Sequence, residues 1–145
     1  MSVPPLHARP LQPLRVPRGA VARVLTALAL LTIVSGVMQL FDPARALAPL
    51  GADPATVGPA GLFHFGAIGA LLVVFGGLLL HAVLSPTPYA PVFLWVGAEK
   101  LVYATMAAMG VSNGLYARPA LLVTALDVVA ATLCLLQWRA TRAQA

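Results

Sequence analysis

The second of four apolar runs decides the class of this chain: residues 62–84 read LFHFGAIGALLVVFGGLLLHAVL. The run contains no Asp, Glu, Lys or Arg, and its two histidines, His64 and His81, lie near its ends. A helix of about 20 apolar residues crosses the ~30 Å hydrocarbon core of a bilayer. The run therefore predicts a membrane-spanning helix.

Similar apolar runs lie on both sides of this one and predict three further spanning helices. Together they predict an all-α protein in which residues 21–138 form a transmembrane four-helix bundle. The predicted helices cover about 21–41, 61–84, 91–112 and 119–138.

The two ends of the chain are polar by comparison. Residues 1–20 are rich in proline and arginine and contain no acidic residue, so they are expected to form a disordered basic tail. Residues 139–145 are expected to form a short C-terminal tail.

The composition excludes several classes of protein. Of 145 residues, 60% are hydrophobic and 9% are charged, whereas a soluble domain carries about 25% charged residues. A soluble enzyme, a disordered chain and a nucleic-acid-binding module are thereby excluded, and the lipid bilayer is the expected partner. A single cysteine, Cys134, and the absence of paired histidine motifs predict no metal site and no cofactor.

The arginines predict the orientation in the membrane. Cytoplasmic loops of membrane proteins are enriched in Lys and Arg, and four spans place both termini on one side. Arg45 and Arg118 are the only such residues expected on the opposite side. The prediction is a multi-pass protein of a bacterial inner membrane with cytoplasmic termini, because the terminal side carries Arg9, Arg15, Arg18, Arg23, Arg139 and Arg142.

The segment 42–60 connects the first two spans and is then expected outside. Asp42-Pro43 and Asp53-Pro54 are each typical of a helix N-cap followed by proline at the first helical position. Short helical turns at the outer interface are expected there. The segment is either a simple connection or a lid over the bundle.

Three charged residues lie inside the predicted bilayer. At 1.5 Å per residue, Glu99 and Lys100 are ~12 and ~13 Å into the third helix, and Asp127 is ~16 Å from the same face in the fourth. An unpaired charge at that depth costs at least ~2.5–3.5 kcal/mol on insertion scales. We therefore expect Lys100 to pair with Asp127 across two antiparallel helices.

Glu99 is rotated about 100° around the helix from Lys100 and is expected to point elsewhere, on the same stripe as Tyr103. Polar side chains of the first helix, such as Thr32, Ser35 or Gln39, or a bound proton would then satisfy it. Glu99, Lys100 and Asp127 are the candidate catalytic residues. Tyr103 and, at the outer mouth, His64 are the candidate pocket residues; the alternative is a purely structural ion pair.

Glycines recur on one face of the second helix. Gly66, Gly69 and Gly76 permit a neighbouring backbone to approach closely. The neighbour is either another helix of the same bundle or a second copy in a homo-oligomer.

Several of these features resemble the small four-helix bacterial membrane proteins grouped as DoxX-like. The likeness covers roughly residues 19–138 and depends on Gly36, Phe41-Asp42-Pro43, the second-helix sequence FHFGAIGALLVVFGG, the third-helix sequence GAEKLVY and Asp127. It implies a four-helix membrane fold and, for some relatives, accessory roles in quinone or sulfur redox metabolism.

Three functions are compatible with the sequence. The first is an accessory or scaffold subunit of a membrane complex, with a structural Lys100–Asp127 pair. The second is a membrane enzyme or a quinone- or lipid-binding protein that uses Glu99, Lys100 and Asp127 for proton transfer. The third is a small transporter subunit that acts as an oligomer.

Overall fold

The computed structural model describes residues 19–87 and 89–143, and every regular element in these ranges is helical. Four of the helices are long and apolar enough to cross a membrane. The predicted all-α, four-helix transmembrane fold is confirmed, and the chain is a multi-pass membrane protein. In chain order the elements are α1 (Ala20–Phe41), α2 (Pro43–Leu47), a 3₁₀ turn (Ala48–Leu50), α3 (Pro54–Leu84), α4 (Ala90–Ser112) and α5 (Ala120–Arg142).

Large apolar side chains cover the outside of the four long helices. Val34, Val102 and Leu122 are each more than half exposed. Apolar surface on this scale is unfavourable in water and favourable in hydrocarbon. The exposed faces are therefore the lipid-facing faces of the bundle.

Helices α1 and α3 form one antiparallel hairpin in which the glycine face of α3 is used. A Cβ atom on Gly69 would lie 2.6 Å from the carbonyl oxygen of Gly36, and one on Gly76 would lie 2.8 Å from a side-chain carbon of Ile33. The two backbones approach this closely only because side chains are absent. This face therefore packs inside the protomer, whereas Gly77 faces open space.

Helices α4 and α5 form a second hairpin, also closed by small residues. A Cβ atom on Gly97 would lie 3.3 Å from Cys134 Cβ and 3.4 Å from the carbonyl oxygen of Ala131. Cys134 is fully buried and acts as a packing residue. This close approach fixes the register in which α4 faces α5.

The two hairpins share a core of large side chains near the end where α1 begins and α5 ends, which we call the terminal end. All four long helices contribute to it, so it joins the hairpins. Its buried members are Leu25, Ala29, Leu79, Ala82, Phe93, Val96 and Cys134.

At the other end of the bundle, residues 42–53 form a compact segment that we call the strap, and this end is the strap end. The Asp42 carboxylate accepts a hydrogen bond from Arg45 N (3.1 Å), and the Asp53 carboxylate accepts one from Ala55 N (3.0 Å). Both predicted N-caps with a following proline are thus confirmed. Leu47, 1% exposed, anchors the strap in the protein.

Some helix ends differ from the predicted bounds. The helical segment of α3 begins at Pro54 rather than 61, with a break at Gly58 (φ 69°, ψ 171°) that only glycine adopts readily. Helix α5 continues to Arg142, four residues beyond the predicted end at 138, into the predicted tail. Basic side chains in the last turn favour this extension through the helix dipole. The predicted disordered tail lies, up to residue 18, outside the described residues.

Candidate functional site

The middle of the α4–α5 hairpin holds a buried ammonium group. Lys100 is 3% exposed, and its Nζ lies 3.4 Å from Asp127 Oδ1 on α5. Lys100 is ten residues from the start of α4, or ~15 Å along the axis, and so lies near mid-bilayer. The close contact at Gly97, one turn away, brings the two helices near enough for this pair to form.

Glu99 belongs to the same cluster. Its Oε1 lies 3.6 Å from Lys100 Nζ, and its side chain is 8% exposed. The expectation that Glu99 points away from Lys100 is therefore wrong. Their Cα–Cβ bonds do diverge around the helix, but the long, flexible lysine side chain carries its ammonium group to a point between both carboxylates.

The polar side chains of α1 that were expected beside Glu99 do not hydrogen-bond to it in the described part of the chain. Both carboxylate oxygens of Glu99 are buried and have no hydrogen-bond partner within the described residues. The Thr32 hydroxyl of α1 donates to its own helix, at Leu28 O (2.9 Å). The Tyr103 ring instead lies beside the lysine, with its centroid 5.8 Å from Lys100 Nζ. Tyr103 thus contributes a cation–π contact to the cluster, which we call the triad cluster after its three charged residues.

Another buried acceptor lies on α1. The Gln39 Oε1 atom is buried and has no hydrogen-bond partner in the described part of the chain. Its Cβ lies 2.6 Å from where a Cβ of Gly69 would be, so it packs against the glycine face of α3. Sequence reasoning offered Gln39 only as a partner for Glu99, a contact that the structure does not form.

The two histidines within the described residues, His64 and His81, take no part in the triad cluster. His64 is exposed near the strap end of α3, with its ring edge-to-face against Phe63 at 5.8 Å. His81 is exposed near the terminal end of the same helix. Within residues 19–87 and 89–143, no three His, Cys, Asp or Glu side chains group so as to hold a metal ion.

The charged groups of the triad cluster are largely buried, and Asp127 is the most exposed of them, with 16% of its side chain accessible. Two surface grooves, with volumes of about 530 and 380 Å³, run along α4–α5 and between α3 and α4. Neither is lined by Glu99, Lys100 or Asp127. The charged groups thus lie mostly within protein, on a bundle whose outer surface is apolar.

The charges of the cluster do not balance. One ammonium faces two carboxylates, so the fully ionised cluster has a net charge of +1 − 2 = −1. A net charge near mid-bilayer costs ~2.5–3.5 kcal/mol on insertion scales. One proton on either carboxylate would make the cluster neutral.

Fold and site together define a multi-pass membrane protein with a buried Glu–Lys–Asp cluster. Comparisons of the chain with protein-family models, with curated proteins and with solved structures found no match.

Proposed function

We propose that this protein binds and releases one proton at the triad cluster and serves proton transfer inside the bilayer. The observation that carries the proposal is the second carboxylate: Lys100 is already paired with Asp127, yet Glu99 is buried beside it, 3.6 Å from the same ammonium group, and neither of its oxygens accepts a hydrogen bond within the described residues. A structural ion pair needs one acid, not two. Ionisable groups inside membrane spans are typical of proton relays.

Glu99 is the carboxylate that we propose holds the proton. It is more buried than Asp127, whose side chain is 16% exposed, and it lies slightly farther from the ammonium group, at 3.6 against 3.4 Å. Asp127 is then the permanent counter-ion of Lys100. In this arrangement Lys100 stabilises the cluster each time the Glu99 proton leaves.

A lipid-soluble carbodiimide, which reacts with protonated carboxyls, tests the proposal. Mass spectrometry of the labelled protein in bilayers should find the modification on Glu99, and Glu99→Gln should abolish it. Asp53, a strap carboxylate that accepts hydrogen bonds from Ala55 N and Thr56 Oγ1, is an internal control for unspecific reaction. Labelling of Asp127 alone, or of neither intramembrane carboxylate, would contradict the proposal.

A second candidate is an accessory or scaffold subunit of a membrane complex. It is favoured by the Lys100–Asp127 pair, which joins α4 to α5 next to the close contact at Gly97. If the protein is such a subunit, Glu99→Gln should leave the uptake and release of protons unchanged, while Lys100→Met should still destabilise the α4–α5 hairpin. The two candidates thus differ in what Glu99 does.

The membrane and orientation are part of the proposal. We place the protein in a bacterial inner membrane with cytoplasmic termini, on the strength of the arginine distribution. The strap end then faces outward. Membership of the DoxX-like group likewise stays a proposal, supported by the residues quoted for that resemblance.

A further inference from the structure

The approach to the triad cluster is blocked from the terminal end. Phe93 and Val96, one to two turns before Glu99 on α4, are each 1% exposed. They belong to the core of large apolar side chains to which all four long helices contribute. Water and ions therefore have no polar route to the cluster from that side.

The strap end is held together differently. Ala117 N, in the turn between α4 and α5, donates a hydrogen bond to Leu50 O of the strap (2.9 Å). Within the described residues this is the one backbone hydrogen bond that joins the two hairpins. Gly51, at φ +66°, lies directly against Ala117, so a Cβ atom at Gly51 would overlap the Ala117 side chain. The hydrogen bond and the close approach of Gly51 to Ala117 thus join the strap to the second hairpin.

The strap is also built so that it can move as a unit. Its helix α2 is only five residues long, and Leu47 is its deeply buried anchor. Gly58, at φ +69°, interrupts the helical segment that follows and separates the strap from the main part of α3. Leu47 and Ala52, 1% and 9% exposed, are the buried residues that such a movement would have to displace, and a short segment opens at a lower free-energy cost than the long helices of the core.

We propose that the strap, residues 42–53, is a gate: it opens at the Leu50–Gly51 contact with Ala117 and admits water and protons to the triad cluster from the strap end. The proposal rests on the proton-binding function for its purpose, but the movement itself is independent of that function. In the structure, neither surface groove is lined by the cluster. When the strap is open, water reaches the cluster and carries the proton to or from it.

The test uses glycine variants matched for backbone conformation. Gly51→Ala forces a methyl group against Ala117 and should open the gate. Gly114→Ala is the control, because Gly114 has a similar φ of +73° but nothing within 4 Å of an added Cβ. The double variant Gly51→Ala/Ala117→Gly removes the overlap and should close the gate again.

Two measurements in nanodiscs read out the gate. Spin labels at positions 63 and 115, both exposed at the strap end, report the separation of the hairpins in a Cys134→Ser background. A water-soluble carbodiimide reports access of water to Glu99. Gly51→Ala should lengthen the distance and raise Glu99 labelling about tenfold, which corresponds to ~1.4 kcal/mol; Gly114→Ala should change neither.

The outcomes separate the gate from the proton-binding function. An unchanged distance between the two spin labels in Gly51→Ala would overturn the gate. A longer distance would also overturn it if labelling of Glu99 by the water-soluble carbodiimide does not rise while the lipid-soluble carbodiimide still modifies Glu99. If the lipid-soluble reagent does not label Glu99, the proton-binding function fails, and the distance alone decides whether the strap opens. If Gly51→Ala does not fold, Leu47→Ala, which removes the buried anchor, takes its place with the same expected results.

Discussion

Removal of Lys100 should destabilise the bundle much more than removal of Asp127. Lys100→Met leaves two carboxylates, 8% and 16% exposed, with no cation between them. Breaking a buried charge pair in this way costs about 3–5 kcal/mol. Asp127→Asn leaves the ammonium with Glu99 at 3.6 Å, so the remaining cluster is neutral. Its expected cost is that of one charge-assisted interaction, about 1.5–3 kcal/mol or less.

The assay is reversible unfolding of the purified protein in bicelles, with the free energy of unfolding measured for each variant. Glu99→Gln is the matched control: it keeps the shape of the side chain and leaves a neutral Lys100–Asp127 pair, so it should be nearly neutral or slightly stabilising. The charge-free triple variant Glu99→Gln/Lys100→Met/Asp127→Asn should recover most of the loss caused by Lys100→Met alone.

Equal costs for Lys100→Met and Asp127→Asn, within about 0.5 kcal/mol, would refute this reasoning. That result would mean that Glu99 does not serve as a second partner of the lysine. A destabilising Glu99→Gln would refute it as well, because Glu99 would then be an obligatory member of the pair network rather than the surplus acid.

Further predictions concern the packing and the topology. Gly69→Ala should destabilise the protein by about 1–3 kcal/mol through overpacking, whereas Gly77→Ala, in open space, should be neutral or stabilising by up to ~1 kcal/mol in the same unfolding assay. Reporters fused after Ala143 should be active in the cytoplasm and those inserted near Gly51 outside, and the reverse pattern would contradict the orientation. Cys134, which is fully buried, should resist alkylation until the protein unfolds; rapid reaction of the native protein would place it elsewhere.

The helical fold was predictable because a bilayer imposes a simple rule. Each apolar run long enough to cross the hydrocarbon core must satisfy its backbone hydrogen bonds internally, and a helix does so. The N-caps at Asp42 and Asp53 were predictable for a local reason: an acidic residue before a proline fits the start of a helix. The end of α5 was not predictable in this way, because the apolar run ends near the membrane boundary while the helix itself continues to Arg142.

The candidate site was only partly readable from the sequence. Depth and helical face brought Lys100 opposite Asp127 because both are properties of a regular helix. They did not place Glu99, since the position of a charged group at the end of a long side chain depends on rotamers that the helical wheel leaves out. The contact between the strap and Ala117 was also beyond sequence reasoning, because it depends on how two loops from different hairpins meet in space.

The central claim is that one proton neutralises the triad cluster and that it is held by Glu99. Infrared difference spectroscopy of the protein in lipid bilayers tests it most directly, because a protonated carboxyl buried away from water has its own carbonyl stretching band. A pH titration should show this band disappear as the proton leaves. The band should be absent in Glu99→Gln and also in Asp127→Asn, where Glu99 gives up its proton to pair with Lys100. Glu99 is the only glutamate in the sequence, so ¹³C labelling of glutamate carboxyl groups should shift the band, whereas labelling of aspartate should not. A band that shifts with labelled aspartate rather than with labelled glutamate, or no such band at any pH, would contradict the account.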